Sequence, residues 1–150
     1  MLFFRSLKPE MVLFANDGPL GANMAKAIDP PSSFKAVWFD LNWLGNNAGA
    51  QTVTVTYLLL WLLGPIGFAK FYSPITLLLL GLSAWLFFRQ VKFRPMACIV
   101  GALAAMLNMN IFSNVCWGLG TRALCVAAVF CALAGIESSR RGMAWAKLPL

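Results

Sequence analysis

Apolar residues are concentrated in the second half of the chain, in runs that cations, glycines and prolines interrupt. The clearest run extends from Pro74 to Phe88, contains no charge and ends at Arg89. Ser73 is a predicted N-cap, and Pro74 suits the first helical position because its missing N–H needs no partner there. The pattern predicts a helix over 74–89, roughly 24 Å long at about 1.5 Å per residue. With its flanking aromatic and basic residues, such a helix can span a hydrocarbon core of about 30 Å.

Two more apolar runs, over 95–112 and 122–137, predict two further membrane-spanning helices. The first of them again begins with a proline, Pro95, and both contain small residues at helical spacing. The small residues are Ala97, Gly101 and Ala105 in the first run, and Ala128 and Ala132 in the second. Small residues at this spacing allow helix backbones to approach closely inside a membrane.

The run over 53–71 is also apolar, but Gly64-Pro65 interrupts it. Because proline removes one backbone hydrogen bond and clashes with the preceding turn, a kinked span and a re-entrant or interfacial segment both remain open. We expect this segment not to cross. The chain is thus predicted to be an all-α, polytopic integral membrane protein with three to four transmembrane helices. An ordered extramembrane loop with short interfacial elements, over 1–52, precedes a helical membrane region over 53–150.

Composition supports the membrane class, since 60% of the 150 residues are hydrophobic and 11% are charged. Soluble domains have about 25% charged residues. The net charge of +7 comes largely from cations beside the apolar runs, which membrane topology explains better than nucleic-acid binding. These cations are Arg89, Lys92, Arg94, Arg140 and Arg141. The positive-inside rule places them in the cytoplasm, so that 95–112 runs outward and 122–137 runs back.

The chain contains no histidine, which excludes an imidazole base, a Ser-His or Cys-His nucleophile and a histidine metal ligand. The four cysteines have no C-x-x-C spacing and are expected to be structural. No cofactor is identified from the residues.

Acidic residues are few, and three of the five, Asp17, Asp29 and Asp40, lie in the polar part of the predicted loop, over 15–50. A membrane enzyme that moves a sugar from a lipid phosphate to a hydroxyl needs a carboxylate near the bilayer surface to accept the proton. Asp17, next to Gly18-Pro19, is placed for that role, although an aspartate there also caps a turn through its own side chain. A divalent cation beside the three aspartates remains open, because their spacing specifies no site.

Asn108 and Asn110 lie near the far end of the predicted span 95–112. Polar amides at that depth should face protein or water rather than lipid. Interhelical hydrogen bonds and contact with a ligand are the two alternatives for these side chains, and hydrogen bonding is the more common one.

Several stretches resemble the amino-terminal part of the bacterial YfhO-like membrane proteins, relatives of the GT-C glycosyltransferases. The stretches are VLFANDGPLG at 12–21, TLLLLGLSAWLFFR at 76–89, and GALAAMLNMNIFS at 101–113 with Trp117-Gly118. The resemblance extends from about residue 10 to 136. It implies a multi-pass protein of the bacterial inner membrane whose first extracytoplasmic loop carries an acidic residue for glycosyl transfer from a polyprenyl-phosphate sugar.

Carried onto this chain, the resemblance implies Asp17 as the catalytic carboxylate, with Asp40 as a weaker second. Asn108 and Asn110 would then be polar lining for the substrate near the external face. The chain would be the amino-terminal part of the transferase. The alternative is a non-catalytic small membrane subunit that packs against a larger membrane partner through the two small-residue stripes.

Overall fold

The computed structural model describes residues 8, 10–11, 14–15, 18–19 and 54–140. The elements are β1 Phe14–Ala15, β2 Gly18–Pro19, α1 Val55–Gln90, α2 Pro95–Met106, α3 Met109–Cys116 and α4 Gly120–Arg140. The predicted all-α class is confirmed, since the two strands have only two residues each. α1 and α4 are long and apolar enough to cross a membrane, and α2 and α3 pass the same test together as a bent pair.

The chain divides into two compact units, Met1–Phe71 and Tyr72–Leu150. In the first unit β1 and β2 pair antiparallel, with Ala15 opposite Gly18. The predicted division between an extramembrane loop and a membrane region, at residues 52 and 53, stays a prediction.

α1 is interrupted at Gly64, whose backbone angles of φ 66° and ψ 172° are not helical. Glycine adopts positive φ without steric cost, and the residue before a proline is pushed out of the helical region. The predicted break at Gly64-Pro65 is therefore confirmed. The expectation that 53–71 does not cross the membrane stays a prediction.

The predicted start of a helix at Ser73-Pro74 is wrong, because both residues lie inside α1. The Ser73 hydroxyl does not cap a helix; it donates to the backbone carbonyl of Val115, 3.0 Å away. Thr76 donates in turn to the carbonyl of Ser73, at 2.9 Å. Nearby hydroxyl groups and neighbouring helices are what allow a proline within a membrane helix.

The run over 95–112 begins at Pro95 as predicted, but it is not one helix. α2 ends at Met106, and α3 begins at Met109 with its axis bent by 48°. The Asn108 side chain competes with helix continuation, because its oxygen accepts the backbone N–H groups that open α3. The structure therefore replaces the predicted single helix with a bent pair of helices, and whether the pair forms one span stays a prediction.

In the second unit, α2 and α3 run antiparallel to residues 72–90 of α1. Ser73, at the beginning of this segment, bonds to Val115 in α3. Phe88, near its end, packs against Gly101 in α2. Residues 72–90 are about 28 Å long at about 1.5 Å per residue, close to the thickness of a bilayer core.

α4 runs in the same direction as residues 72–90 of α1. Gly120, its first residue, lies against the ring of Tyr72, and the ring of Phe130 lies 5.9 Å from that of Phe87. Residues 72–140 of the second unit therefore form three passes of the chain with alternating direction. The α1–α2 turn forms one end, which we call the basic end, and the α3–α4 turn forms the other, the amide end.

Small side chains on α4 allow this close packing. The buried positions of α4 are Gly120, Ala123, Ala127, Ala134 and Ser138. The predicted stripe lies on a different face, since Ala128 is exposed and Ala132 is half-buried. Sequence spacing thus indicated small residues correctly but did not identify which of them pack inside this chain.

Candidate functional site

Asn108 is the N-cap of α3. Its Oδ1 accepts the backbone N–H groups of Asn110 and Ile111, at 3.2 and 3.3 Å. A capping side chain satisfies donors that a helix leaves without partners in its first turn. The oxygen of Asn108 therefore has a structural role that the sequence pattern did not predict.

Asn110 is part of a network that continues to α4. Asn114 Nδ2 donates to the carbonyl and to Oδ1 of Asn110, at 2.8 and 2.9 Å. Arg122 Nη1 donates to Asn114 Oδ1, at 3.1 Å. The structure thus groups Asn108, Asn110, Asn114 and Arg122 at the amide end. Sequence reasoning missed the last two as site residues, although the four-residue spacing from Asn110 to Asn114 is a helix-neighbour signal.

The turn between α3 and α4 brings Arg122 to Asn114. Gly118 has φ 81° and donates to Val115, and Leu119 N–H donates to Asn114 across the turn at 2.9 Å. This pair of bonds is the Schellman arrangement that often ends helices, with glycine at the left-handed position. The turn between α3 and α4 therefore has a defined backbone geometry, and it carries an exposed Trp117.

The network offers hydrogen-bond donors to a ligand. Because Oδ1 of Asn108 and Oδ1 of Asn110 already accept bonds, what these exposed amides can offer is their NH₂ groups. Arg122 is exposed, and a guanidinium has five donors in a planar fork. Such a set of donors suits the oxygens of a phosphate or a sugar hydroxyl.

The predicted carboxylates, Asp17 and Asp40, lie outside the described residues, as does Asp29. The catalytic roles expected of Asp17 and Asp40 therefore stay predictions. Within the described part of the chain, no group of three or more His, Cys, Asp or Glu could hold a metal ion.

The basic end has a second Schellman arrangement. Lys92 N–H donates to Arg89, and Phe93 N–H donates to Phe88, at 3.0 and 3.2 Å. The rings of Phe93 and Phe88 stack with centroids 5.9 Å apart, which is the apolar contact typical of this motif. The left-handed position is held by Lys92, with φ 64°, where Gly118 stands in the other turn.

Cations and apolar side chains are exposed together at the basic end. Arg89, Lys92 and Arg94 are exposed, and the Arg89 guanidinium lies 5.1 Å from the centre of the Trp85 ring. The apolar side chains there are Phe93, 53% exposed, and Met96, 71% exposed. The contact of Arg89 with Trp85 has the geometry of a cation–π interaction.

Comparison with known proteins finds no matching family model, no matching curated sequence and no matching solved structure. The resemblance to YfhO-like proteins therefore stays a prediction.

Proposed function

We propose that this chain is the amino-terminal part of a GT-C-like membrane glycosyltransferase that uses a polyprenyl-phosphate sugar. Besides the resemblance, the observation that supports this proposal is the donor network of Asn110, Asn114 and Arg122 at the amide end. A membrane enzyme with a lipid-phosphate donor needs groups of this kind near the end of its helices, where the phosphate lies.

In the proposed reaction, the carboxylate of Asp17 accepts the proton of the acceptor hydroxyl. The acceptor oxygen forms a bond to the anomeric carbon while the bond from that carbon to the phosphate oxygen breaks. Polyprenyl phosphate leaves with the bonding electrons. Arg122 would stabilise the charge on the departing phosphate, and the NH₂ groups of Asn108 and Asn110 would orient the sugar.

The proposed location is the bacterial inner membrane, in a multi-pass arrangement with the basic end in the cytoplasm. Arg89, Lys92 and Arg94 lie at the basic end, whereas Arg122 lies at the amide end. The positive-inside rule then orients the amide end outward, on the side where the proposal places Asp17.

Sugar transfer in bacterial membranes that contain the chain tests the proposal. Radiolabelled polyprenyl-phosphate glucose and polyprenyl-phosphate mannose serve as donors, and the measured quantity is label lost from the lipid. We expect Asp17→Asn to abolish transfer and Asp40→Asn to reduce it. Asp29→Asn is the matched control and should retain activity. Full transfer by Asp17→Asn, at equal protein in the membrane, would exclude Asp17 as the base.

The second proposal is a non-catalytic subunit that packs against a larger membrane partner. The observation that favours it is the outer face of α4, where Ala128 is exposed beside the exposed Val129 and Leu133. On this proposal Ala128→Phe should reduce the size of the native complex in detergent extracts. Leu103→Phe enlarges an exposed residue of α2 and should leave that size unchanged. An unchanged size in both variants argues for lipid contact on both faces.

A further inference from the structure

We propose that the basic end binds the headgroups of anionic phospholipids in the adjacent leaflet. The binding surface consists of Arg89, Lys92 and Arg94 with the apolar side chains of Phe93 and Met96. This inference requires that the chain be embedded in a bilayer, but it does not require that the chain transfer sugar.

The first argument is charge. Three exposed cations lie within six positions of the chain, and the sequence contains no acidic residue between Asp40 and Glu137. Over the described residues 54–140 the only acidic residue is Glu137 in α4, whose carboxylate forms an ion pair with Arg140 at 3.5 Å. Basic clusters beside a membrane span attract anionic lipid headgroups within about a Debye length of the surface, roughly 10 Å at 0.1 M salt.

The second argument is the mixture of side chains. Phe93 and Met96 are exposed next to the cations, and contact of their apolar surface with water is unfavourable in free energy. Apolar side chains of this kind enter the boundary between headgroups and acyl chains, while arginine and lysine extend towards phosphates. A soluble acidic partner would account for the cations but not for the exposed apolar side chains. A layer of lipid headgroups accounts for both.

The third argument is the backbone at Lys92. The other Schellman turn has glycine at the left-handed position, Gly118, where positive φ carries no steric cost. Lysine at the equivalent position is strained, and local strain is retained where a side chain has a function. The strained position carries an exposed cation, which lies between Arg89 and Arg94 in sequence.

Lipid selectivity of the full chain tests the proposal. The chain is reconstituted in phosphatidylcholine vesicles with trace spin-labelled phosphatidylglycerol or phosphatidylcholine. Electron paramagnetic resonance measures the fraction of each labelled lipid held at the protein. We expect the wild type to prefer phosphatidylglycerol by about twofold to fivefold at 0.1 M NaCl, and less at 1 M NaCl because of screening.

The test variant is Lys92→Gly with Arg94→Gln, which removes two cations and relaxes the backbone, so loss of folding does not confuse the result. We expect its preference to fall to near unity. Lys70→Gln removes a cation that lies outside the basic end and donates to the carbonyl of Lys8, so it should retain the preference. An unchanged preference in the test variant overturns the proposal, and so does an equal loss in Lys70→Gln. Displacement of the labelled lipid by 10 mM inorganic phosphate would instead indicate a site for the free ion, and it also overturns the proposal.

Discussion

A Cβ atom on Gly101 would lie 2.5 Å from Cε2 of Phe88, closer than real Cβ atoms come to a neighbour. The Phe88 ring cannot simply move away, because three other rings surround it. These are Phe87, Phe93 and Phe130, with centroids 5.5, 5.9 and 6.1 Å away. Gly101 therefore belongs to the internal packing of this chain, which corrects its prediction as part of a partner-binding stripe.

Gly101→Ala should destabilise the protein because the new methyl group overlaps with Phe88. The expected cost is about 1–3 kcal/mol, typical of overpacked interiors. Gly135 is the matched control, since it also lies in a helix but has open space where a Cβ would be. Gly135→Ala should raise stability by up to about 1 kcal/mol through helix propensity. Thermal unfolding in detergent micelles, followed by circular dichroism, measures both; stabilisation by Gly101→Ala would contradict the packing.

Lys92→Gly should stabilise the protein, because glycine adopts the positive φ of this position without steric strain. Relief of about 1–2 kcal/mol of left-handed strain exceeds the backbone entropy that glycine loses, about 0.5–1 kcal/mol. The reciprocal substitution, Gly118→Lys, should destabilise by a similar amount. The same unfolding measurement applies, and a change of the same sign for both substitutions would show that positive φ does not control their stability.

Ser73→Ala should lower stability by about 0.6 kcal/mol, and by no more than about 1.7 kcal/mol, because it removes a buried hydrogen bond between passes. Ser83 is a suitable comparison, since its buried hydroxyl donates only to Leu80 in its own helix, at 2.9 Å. Ser83→Ala should change stability less. A larger loss for Ser83→Ala would contradict the importance of the bond to Val115.

Asn108 combines a structural oxygen with a proposed ligand-binding NH₂ group, and substitutions separate the two. Asn108→Ala removes the helix cap and should cost about 1 kcal/mol. Asn108→Asp keeps a capping oxygen, so it should unfold near the wild-type temperature. If the proposed substrate contact is real, Asn108→Asp should nevertheless lose sugar transfer. Full activity of a stable Asn108→Asp would remove Asn108 from the proposed site.

The orientation of the three passes can be measured with cysteine labelling. In a variant with all four native cysteines changed to alanine, single cysteines replace Lys92 and Thr121, which are exposed at opposite ends. An impermeant maleimide should label the Thr121→Cys protein in spheroplasts. It should label the Lys92→Cys protein only in inverted vesicles. The opposite pattern would place the basic end outside the cell.

Sequence patterns predicted those features that local chemistry controls. The break at Gly64 and the helix start at Pro95 both depend on glycine or proline, whose preferences act within a few residues. The position of Ser73 inside α1 and the bend between α2 and α3 at Asn108 could not be predicted in this way. Ser73 has a partner on another helix, and an asparagine caps a helix only where the chain around it can bend.

The same limit applies to the candidate site. Asn108 and Asn110 were recognised because polar amides are unusual at the end of an apolar run. Arg122 joined them only through the glycine turn that brings α4 back to α3, a relationship that depends on three-dimensional arrangement. The sequence indicated Lys92 only as a charge. Its left-handed backbone conformation, which usually requires glycine, has no signal in the sequence pattern.

The bond from Ser73 to Val115 also has a consequence for synthesis at the ribosome. Val115 follows Ser73 by 42 residues, which at about 5–20 residues per second means a delay of roughly 2–8 s. During that time residues 72–90 carry a hydroxyl group whose final partner has not yet been synthesised. Until the returning chain arrives, that hydroxyl needs another hydrogen-bond partner, such as water or a carbonyl of its own helix.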